Sequence, residues 1–94
     1  FDLDMPLEGD FLLTKHHDMP GMIGKIGTLL GKRDINIARM GVGRADKGGN
    51  ALMLIAVDQE VGKAVVAEFR ALPNFHEARS IVLSHMRTRE YMNI

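Results

Sequence analysis

The chain has 94 residues, of which twelve are basic and twelve acidic, so its formal net charge is zero. This balance argues against nucleic acid or an anionic membrane as a partner, because both attract proteins with an excess of positive charge. No cysteine is present, which excludes disulfides and thiolate chemistry and favours a cytoplasmic location. No apolar run approaches the length of a membrane span. The length suits one domain with a single core, and Phe1 in place of an initial Met suggests a piece of a longer protein.

The first elements are predicted to be an arm, a strand and a helix. Residues 1–8 show little periodicity and are expected to form a linker or arm. The apolar run 11–16 turns polar at its end and lies between Gly9-Asp10 and Pro20-Gly21, which predicts a strand. Apolar residues then recur at helical spacing and predict a helix with the stripe Met22, Ile23, Ile26, Leu29 and Leu30. On its far side lie Gly24, Gly27 and Gly31, which suit either a close-packed neighbour or solvent.

The second half of the chain predicts a hairpin, a helix and a last strand. Residues 35–44 and 51–57 predict two strands joined by turn-forming residues at 45–50. Asp58-Gln59-Glu60 is a predicted helix start, and apolar residues follow it at helical spacing. Residues 78–85 predict the last strand, so the domain is expected over 9–85, with a polar C-terminal tail at 86–94.

The element order predicts the fold class. A β-α-β-β-α-β order is typical of the ferredoxin-like α+β sandwich, in which an antiparallel four-stranded sheet carries two helices on one face. The strand at 51–57 is apolar on both of its faces, so the face away from the helices also needs cover. We therefore expect a homodimer or higher oligomer, or packing against the remainder of a longer protein.

The motifs give little support for catalysis or metal binding. Gly21-Met22-Ile23-Gly24 lacks the G-x-G pair of a dinucleotide site, and no Walker A sequence occurs. The neighbouring His16 and His17 point to opposite faces of a strand and make a poor chelating pair. No hydroxyl nucleophile accompanies His16 and Asp18 in a recognisable context. No catalytic residue and no metal ligand is therefore predicted.

Binding is better supported, at the junction of the first strand and the first helix. His16 and Asp18 share one parity at the strand end, Asn36 opens the second strand, and the helix start at Met22-Ile23 offers free N–H groups. A small zwitterion suits this set, with its carboxylate on the N–H groups and its ammonium or hydroxyl held by Asp18 and Asn36. The local sequence alone favours a plainer interpretation, in which Asp18 is a helix N-cap, Asn36 a polar residue at a strand start and His16 a surface residue.

Three segments resemble a known family: residues 16–31, 35–44 and 48–53. Together they are similar to ACT domains, for which Asp-x-Pro-Gly at 18–21 and the later Asn36-Ile37 are specific. Within that family the chain most resembles the C-terminal regulatory domains of bacterial D-3-phosphoglycerate dehydrogenases, because of its Ile-Gly-x-x-Leu-Gly segment and Val42-Gly43-Arg44. The resemblance covers nearly the whole predicted domain.

The resemblance implies an allosteric, non-catalytic module. Such a domain binds L-serine or another small amino acid at a subunit interface and lowers the activity of a distant NAD-dependent catalytic domain. This chain would then hold no cofactor itself, while the presumed parent would use NAD. The ligand-binding residues that the resemblance implies are His16, Asp18, Pro20, Gly21, Met22, Ile23, Asn36 and Ile37.

Three alternatives are weighed against this hypothesis. One is the ACT domain of an iron-sulfur L-serine dehydratase, against which Gly41-Val42-Gly43-Arg44 speaks, because a Ser before the Arg is expected there. A second is a purely structural dimerisation module. The third is an RNA-binding domain on the same topology, which the lack of aromatic residues at 51–57 and the zero net charge disfavour.

Overall fold

Six elements follow one another in the order predicted from the sequence. The computed structural model describes residues 6–44 and 49–87. The elements are β1 (Pro6–His17), α1 (Met22–Lys32), β2 (Ile37–Arg44), β3 (Asn50–Val57), α2 (Lys63–Arg70) and β4 (Phe75–Arg87). The strands form one antiparallel sheet in the order β2-β3-β1-β4. The ferredoxin-like βαββαβ fold is therefore confirmed. Most of the predicted arm and tail, at 1–5 and 88–94, and the turn residues 45–48 lie outside the described residues.

Both helices pack on one face of the sheet. Leu12 of β1 and Ile55 of β3 contribute to this core from the sheet, and Ile26 of α1 and Phe69 of α2 contribute from the helices, all with no exposed surface. Burial of apolar side chains at this density supplies most of the free energy that offsets chain ordering. An ion pair joins the exposed ends of the helices, in which Arg33 donates through Nε to Oε2 of Glu68 at 2.9 Å.

The second face of the sheet is also buried within the single chain. Its cluster is Phe11, Leu13, Leu52, Leu54 and Ala56, each at most 5% exposed. The prediction that β3 is covered on both faces is thus confirmed. The expectation that one chain would leave this face bare is wrong, and it no longer argues for association between chains.

β1 and β4 are longer than the sequence predicted. β1 begins at Pro6, inside the predicted arm, and β4 runs from Phe75 to Arg87, beyond both ends of the predicted strand. The pairing register shifts between Leu7 and Gly9, where Gly9 has a φ of 101°. A glycine with positive φ is typical of a β-bulge, through which pairing continues. The sequence predicts Gly9 at the boundary of the first strand, but in the structure it lies within β1.

The helix starts also differ from the prediction. α2 begins at Lys63 after the N-cap residue Gly62, so Asp58-Gln59-Glu60 precedes the helix instead of starting it. α1 begins at Met22 as predicted, but its N-cap residue is Gly21 and not Asp18. At the other end of α1, the N–H groups of Asp34 and Ile35 donate to carbonyls of the last helical turn, and the helix ends at Lys32.

Candidate functional site

A cavity of about 480 Å³ opens where β1 ends and α1 begins. The β1–α1 segment forms one side of the cavity, and β2 and β3 form the other. Its lining residues are His16, Asp18, Met19, Pro20, Gly21, Met22, Ile23, Gly24, Val42, Ala51 and Met53. Six of the residues that the resemblance implied as ligand contacts therefore surround one space.

Backbone hydrogen bonds fix the turn that leads into the cavity. The N–H of His17 donates to the carbonyl of Asn74 at 2.9 Å, and the N–H of Asp18 donates to the carbonyl of Gly49 at 2.7 Å. The chain then reverses at Gly21, whose φ of 89° is a conformation that L side chains rarely adopt. The glycine of Asp-x-Pro-Gly is thus required by the backbone at this turn.

The start of α1 presents peptide N–H groups to the cavity. The first helical hydrogen bond runs from the N–H of Lys25 to the carbonyl of Gly21 at 3.0 Å. The N–H groups of Met22, Ile23 and Gly24 precede that bond, so the helix itself provides no acceptor for them. They lie at the positive end of the helix dipole, which favours an anionic group.

His16 is a buried wall of the cavity. Its side chain is only 3% exposed, its ring lies 5.3 Å from that of Phe75, and its Nδ1 lies 3.4 Å from Oγ1 of Thr14. Burial lowers the pKa of His16 below its ordinary value, with a further lowering from His76, while the nearby carboxylate of Asp18 raises it. A neutral imidazole can accept or donate one hydrogen bond at neutral pH. The interpretation of His16 as a surface residue is wrong.

Apolar side chains form the remaining walls. Ala51 and Met53 of β3 lie buried beneath the cavity, with Ala51 directly opposite His16 in the β1–β3 pairing. Around the mouth, Met19, Ile23 and Val42 are 39%, 56% and 44% exposed. The apolar stripe of α1 predicts Ile23 in the core, but its side chain lies exposed at this mouth, whereas that of Met22 beside it is buried in the core.

Asn36 and Ile37 do not reach this cavity in the same chain. Nδ2 of Asn36 donates to Oδ2 of Asp58 at 2.8 Å, and Ile37 pairs with Val57. His16 pairs with Ala51, six residues back along β3, which separates the two ends by roughly 20 Å at the rise of a strand. Within one chain Asn36 therefore adds no wall to this cavity, and its contact with a ligand stays a prediction. β1 and β2 run in the same direction, so the end of one lies far from the start of the other.

Sequence reasoning missed the walls that β2 and β3 contribute. Val42, Ala51 and Met53 carry no chemical signal on their own, because each is an ordinary strand residue. These residues could have been found from the pairing of β1 with β3 and of β2 with β3. Side chains alternate between the two faces along a strand, and in this register all three lie on the same face as His16. The sequence predicts Gly24 only as a member of a glycine face, yet it also borders the cavity.

Neither a metal cluster nor a membrane span is found in the described part of the chain. Residues 6–44 and 49–87 contain no group of three or more His, Asp or Glu side chains placed to hold a metal ion. Neither α1 nor α2 is long and apolar enough to cross a bilayer.

Comparison with known proteins identifies the family. The model of the ACT domain matches residues 11–74, which run from within β1 to the turn before β4 and include the whole β1–α1 junction. The chain belongs to the ACT domain family. The match covers both the Asp-x-Pro-Gly turn and the Asn36-Ile37 pair from which the resemblance was drawn.

Several curated proteins contain a segment similar to this ACT domain. A D-3-phosphoglycerate dehydrogenase of Bacillus subtilis is 37% identical over 83 residues, which cover 88% of this chain and 16% of that protein. A D-3-phosphoglycerate dehydrogenase of Methanocaldococcus jannaschii is 40% identical over 76 residues, covering 81% and 14%. A probable L-serine dehydratase beta chain of Bacillus subtilis is 35% identical over 81 residues, covering 86% and 37%. The chain thus spans about a sixth of the length of the dehydrogenases that it matches.

Proposed function

We propose that this ACT domain binds a small amino acid, L-serine foremost, and is the regulatory module of a D-3-phosphoglycerate dehydrogenase. One observation carries the proposal: Asp18, the buried ring of His16 and the residues whose N–H groups begin α1 line one cavity. These groups complement the three parts of a hydroxylated zwitterion. The carboxylate matches its ammonium group, the neutral polar group its hydroxyl and the helix N-terminus its carboxylate. The similarity to D-3-phosphoglycerate dehydrogenases supports serine as the first ligand to test.

Each end of the ligand has a partner of suitable charge. The α-carboxylate accepts hydrogen bonds from the N–H groups of Met22 and Ile23, where the helix dipole favours negative charge. The ammonium group pairs with Asp18, and such a charge-assisted hydrogen bond is about twice as strong as a neutral one. His16 then lies beside the ligand side chain, where its neutral ring can exchange a hydrogen bond with a hydroxyl.

We further propose that a second copy of the chain closes the cavity and brings Asn36 to it. β2 is an edge strand, so its outer backbone groups are free to pair with another strand. Three of the four exposed large apolar side chains of the described residues lie at the cavity mouth beside it: Met19, Ile23 and Val42. Covering these side chains would bury apolar surface, which favours association at this edge.

The geometry of a two-fold pairing supplies the residue that the single chain lacks. When two β2 strands pair antiparallel about a two-fold axis near Met40, the start of one strand lies beside the end of the other. Asn36 of the partner subunit then lies beside Arg44, near the cavity wall formed by Val42. The proposed site is thus shared, with His16 and Asp18 from one chain and the amide from the other.

A ligand held between two subunits can regulate a distant activity. Serine that binds one subunit arrangement better than another shifts the population toward that arrangement. Coupling between such sites is typically about 1–3 kcal/mol. In the parent protein the arrangement would set the activity of an NAD-dependent catalytic domain, while the ACT domain contributes no catalytic residue.

A second candidate is the ACT domain of an L-serine dehydratase. The similarity to the probable beta chain of such an enzyme favours it. Both candidates share the proposed ligand site and differ in the protein that the domain regulates. A purely structural dimerisation module is the alternative in which the cavity binds nothing.

Titration calorimetry with L-serine tests the proposal on the 94-residue chain. We expect saturable heat that is abolished in Asp18→Ala and strongly weakened in Asp18→Asn, which keeps the shape but removes the charge. Asn36→Ala should also lose the heat, while the matched control Asp58→Ala should keep it, because that control breaks the hydrogen bond to Asn36 without removing the amide. The absence of heat at millimolar serine and other small amino acids, in a chain that still forms dimers, would indicate the structural module.

A further inference from the structure

Thr14 places a hydroxyl group inside the apolar core. It lies on β1 between Leu12 and His16, on the face under the helices, and its partners on the neighbouring strands, Met53 and Ala78, are fully buried in that core. Thr14 itself has no exposed surface. A buried hydroxyl costs free energy unless it is hydrogen-bonded, and valine has nearly the same shape without that cost. Thr14 therefore needs a specific hydrogen-bond partner.

That partner is the imidazole ring of His16. Oγ1 of Thr14 lies 3.4 Å from Nδ1 of His16, and this is the side-chain hydrogen bond that Thr14 makes within residues 6–44 and 49–87. The two residues are two positions apart on one strand, so their side chains lie on the same face of the sheet. One nitrogen of the His16 ring is thus held from inside the core.

This hydrogen bond determines which nitrogen of the neutral His16 ring carries the proton. The hydroxyl of Thr14 has one hydrogen to donate, and Nδ1 of His16 is the acceptor that it contacts among the described residues. If Nδ1 carried the proton, it would donate to Oγ1 and leave the hydroxyl hydrogen buried without an acceptor, which costs free energy. The favoured arrangement therefore has Thr14 donating to Nδ1 and the ring proton on Nε2.

Nε2 is the nitrogen of His16 that remains for a ligand. No buried side-chain nitrogen or oxygen in the described part of the chain lacks a hydrogen-bond partner. Nε2 has no such partner there, so it lies at the small exposed part of the side chain, and His16 lines the cavity. An N–H group at this position is a donor, and the hydroxyl oxygen of a ligand is a matching acceptor.

We infer that Thr14 is a positioning residue, which holds the ring of His16 so that Nε2–H points into the cavity and donates to the hydroxyl oxygen of the bound amino acid. The inference rests on the proposed function, because it assumes that the cavity is the amino-acid site. It adds to that function the direction of the hydrogen bond from His16 and the buried residue that fixes this direction. An amino acid with a hydroxyl group is then preferred over one with a purely apolar side chain.

Nitrogen NMR of the 94-residue chain without ligand tests how Thr14 holds the ring. At about pH 8, above the ordinary pKa of histidine, protonated and unprotonated ring nitrogens have separate shifts, and the signals of His16 are those lost in His16→Gln. We expect the proton on Nε2, and a shift of Nδ1 that moves in Thr14→Val because its hydrogen bond is lost. A proton on Nδ1 in the original chain, or an Nδ1 shift that is unchanged in Thr14→Val, would overturn the inference.

Calorimetry with L-serine tests the consequence for binding. Thr14→Val keeps the shape of the side chain but lacks the hydroxyl, and it should weaken serine binding about fivefold or more, the effect of one lost hydrogen bond. Thr14→Ser restores the hydroxyl and should recover most of the affinity. The matched control is Thr28→Val, on an exposed residue of α1 that does not line the cavity, and it should bind like the original chain.

The outcomes separate this inference from the proposed function. If L-serine and other small amino acids give no heat with the original chain, the proposed function fails and the inference fails with it. If the original chain binds serine but Thr14→Val binds as well as Thr28→Val, or Thr14→Ser binds as weakly as Thr14→Val, the inference alone is overturned. If Thr14→Val does not fold, the position of the ring proton in the original chain and the affinity of Thr14→Ser decide.

Discussion

The side-chain amide of Asn36 donates a 2.8 Å hydrogen bond to Asp58, at the end of the sheet opposite the one where His16 lies buried. The two residues belong to strands that run in the same direction, so no small movement within one chain can bring them together. A ligand that touches both must lie between two chains. The proposed role of Asn36 in binding therefore requires the proposed association through β2.

Mixing two variants that are each expected not to bind serine tests whether two chains share the site. Asp18→Ala and Asn36→Ala chains, unfolded together in equal amounts and refolded, should form mixed dimers in which one of the two sites is intact. Random pairing restores about a quarter of all sites, since half of the dimers are mixed. Serine titration should show this stoichiometry in the mixture and no binding by either variant alone. A mixture without heat would show that Asn36 does not act across the interface.

The buried imidazole of His16 makes stability depend on pH in the acid range. Burial lowers the pKa of His16 in the folded chain, and the unfolded chain keeps the ordinary value near 6.5. Between these two pKa values the unfolded state binds more protons than the folded state, so the free energy of unfolding rises with pH. This stability is lost as the pH falls through the ordinary pKa toward the lowered one. Urea unfolding at several pH values between about 5 and 8, the range in which histidine titrates, measures this slope.

Two histidine variants identify the source of that slope. His16→Gln keeps a polar group near Thr14 but does not titrate, so the pH dependence should flatten. His17→Gln, on the exposed side of the same strand, is the matched control for replacing a histidine by glutamine. An unchanged slope in His16→Gln would contradict the assignment to the buried ring.

The second face of the sheet should be as important for stability as the face under the helices. Leu54 is 1% exposed in one cluster and Ile55 is fully buried in the other. Replacing either by alanine should lower the free energy of unfolding by about 2–5 kcal/mol, because each leaves a cavity in packed surroundings. Urea denaturation at several protein concentrations measures both. A loss below about 0.5 kcal/mol for Leu54→Ala, as expected for an exposed position, would show that one chain leaves this face bare.

The fold could be predicted from the sequence because its signals are local. A change of apolar spacing from strand to helix at Met22, turn-forming residues at 45–50 and apolar residues on both faces of 51–57 each follow from short-range patterning. The ends of β1 and β4 could not be predicted in this way, because a glycine such as Gly9 can lie at a strand boundary or at a bulge. Only the pairing with β4 distinguishes the two.

The site could be predicted only where it is continuous in sequence. Residues 16–23 form one turn and stay together in the structure. Asn36 opens the second strand, and α1 returns the chain to the far end of the sheet before that strand begins, so no local pattern shows where its side chain lies. Ala51 and Met53 join the site through strand pairing, and that register depends on the packing of the whole sheet.

Backbone amide NMR of the 94-residue chain during titration with L-serine tests the central claim most directly. We predict saturable shifts at residues 18–24 and at Ala51 and Met53, with further shifts at Asn36 across the proposed dimer interface. Asp18→Ala should abolish all of these shifts while leaving the rest of the spectrum in place. Saturating serine that moves none of these amides, or that moves only residues far from the β1–α1 junction, would contradict the account.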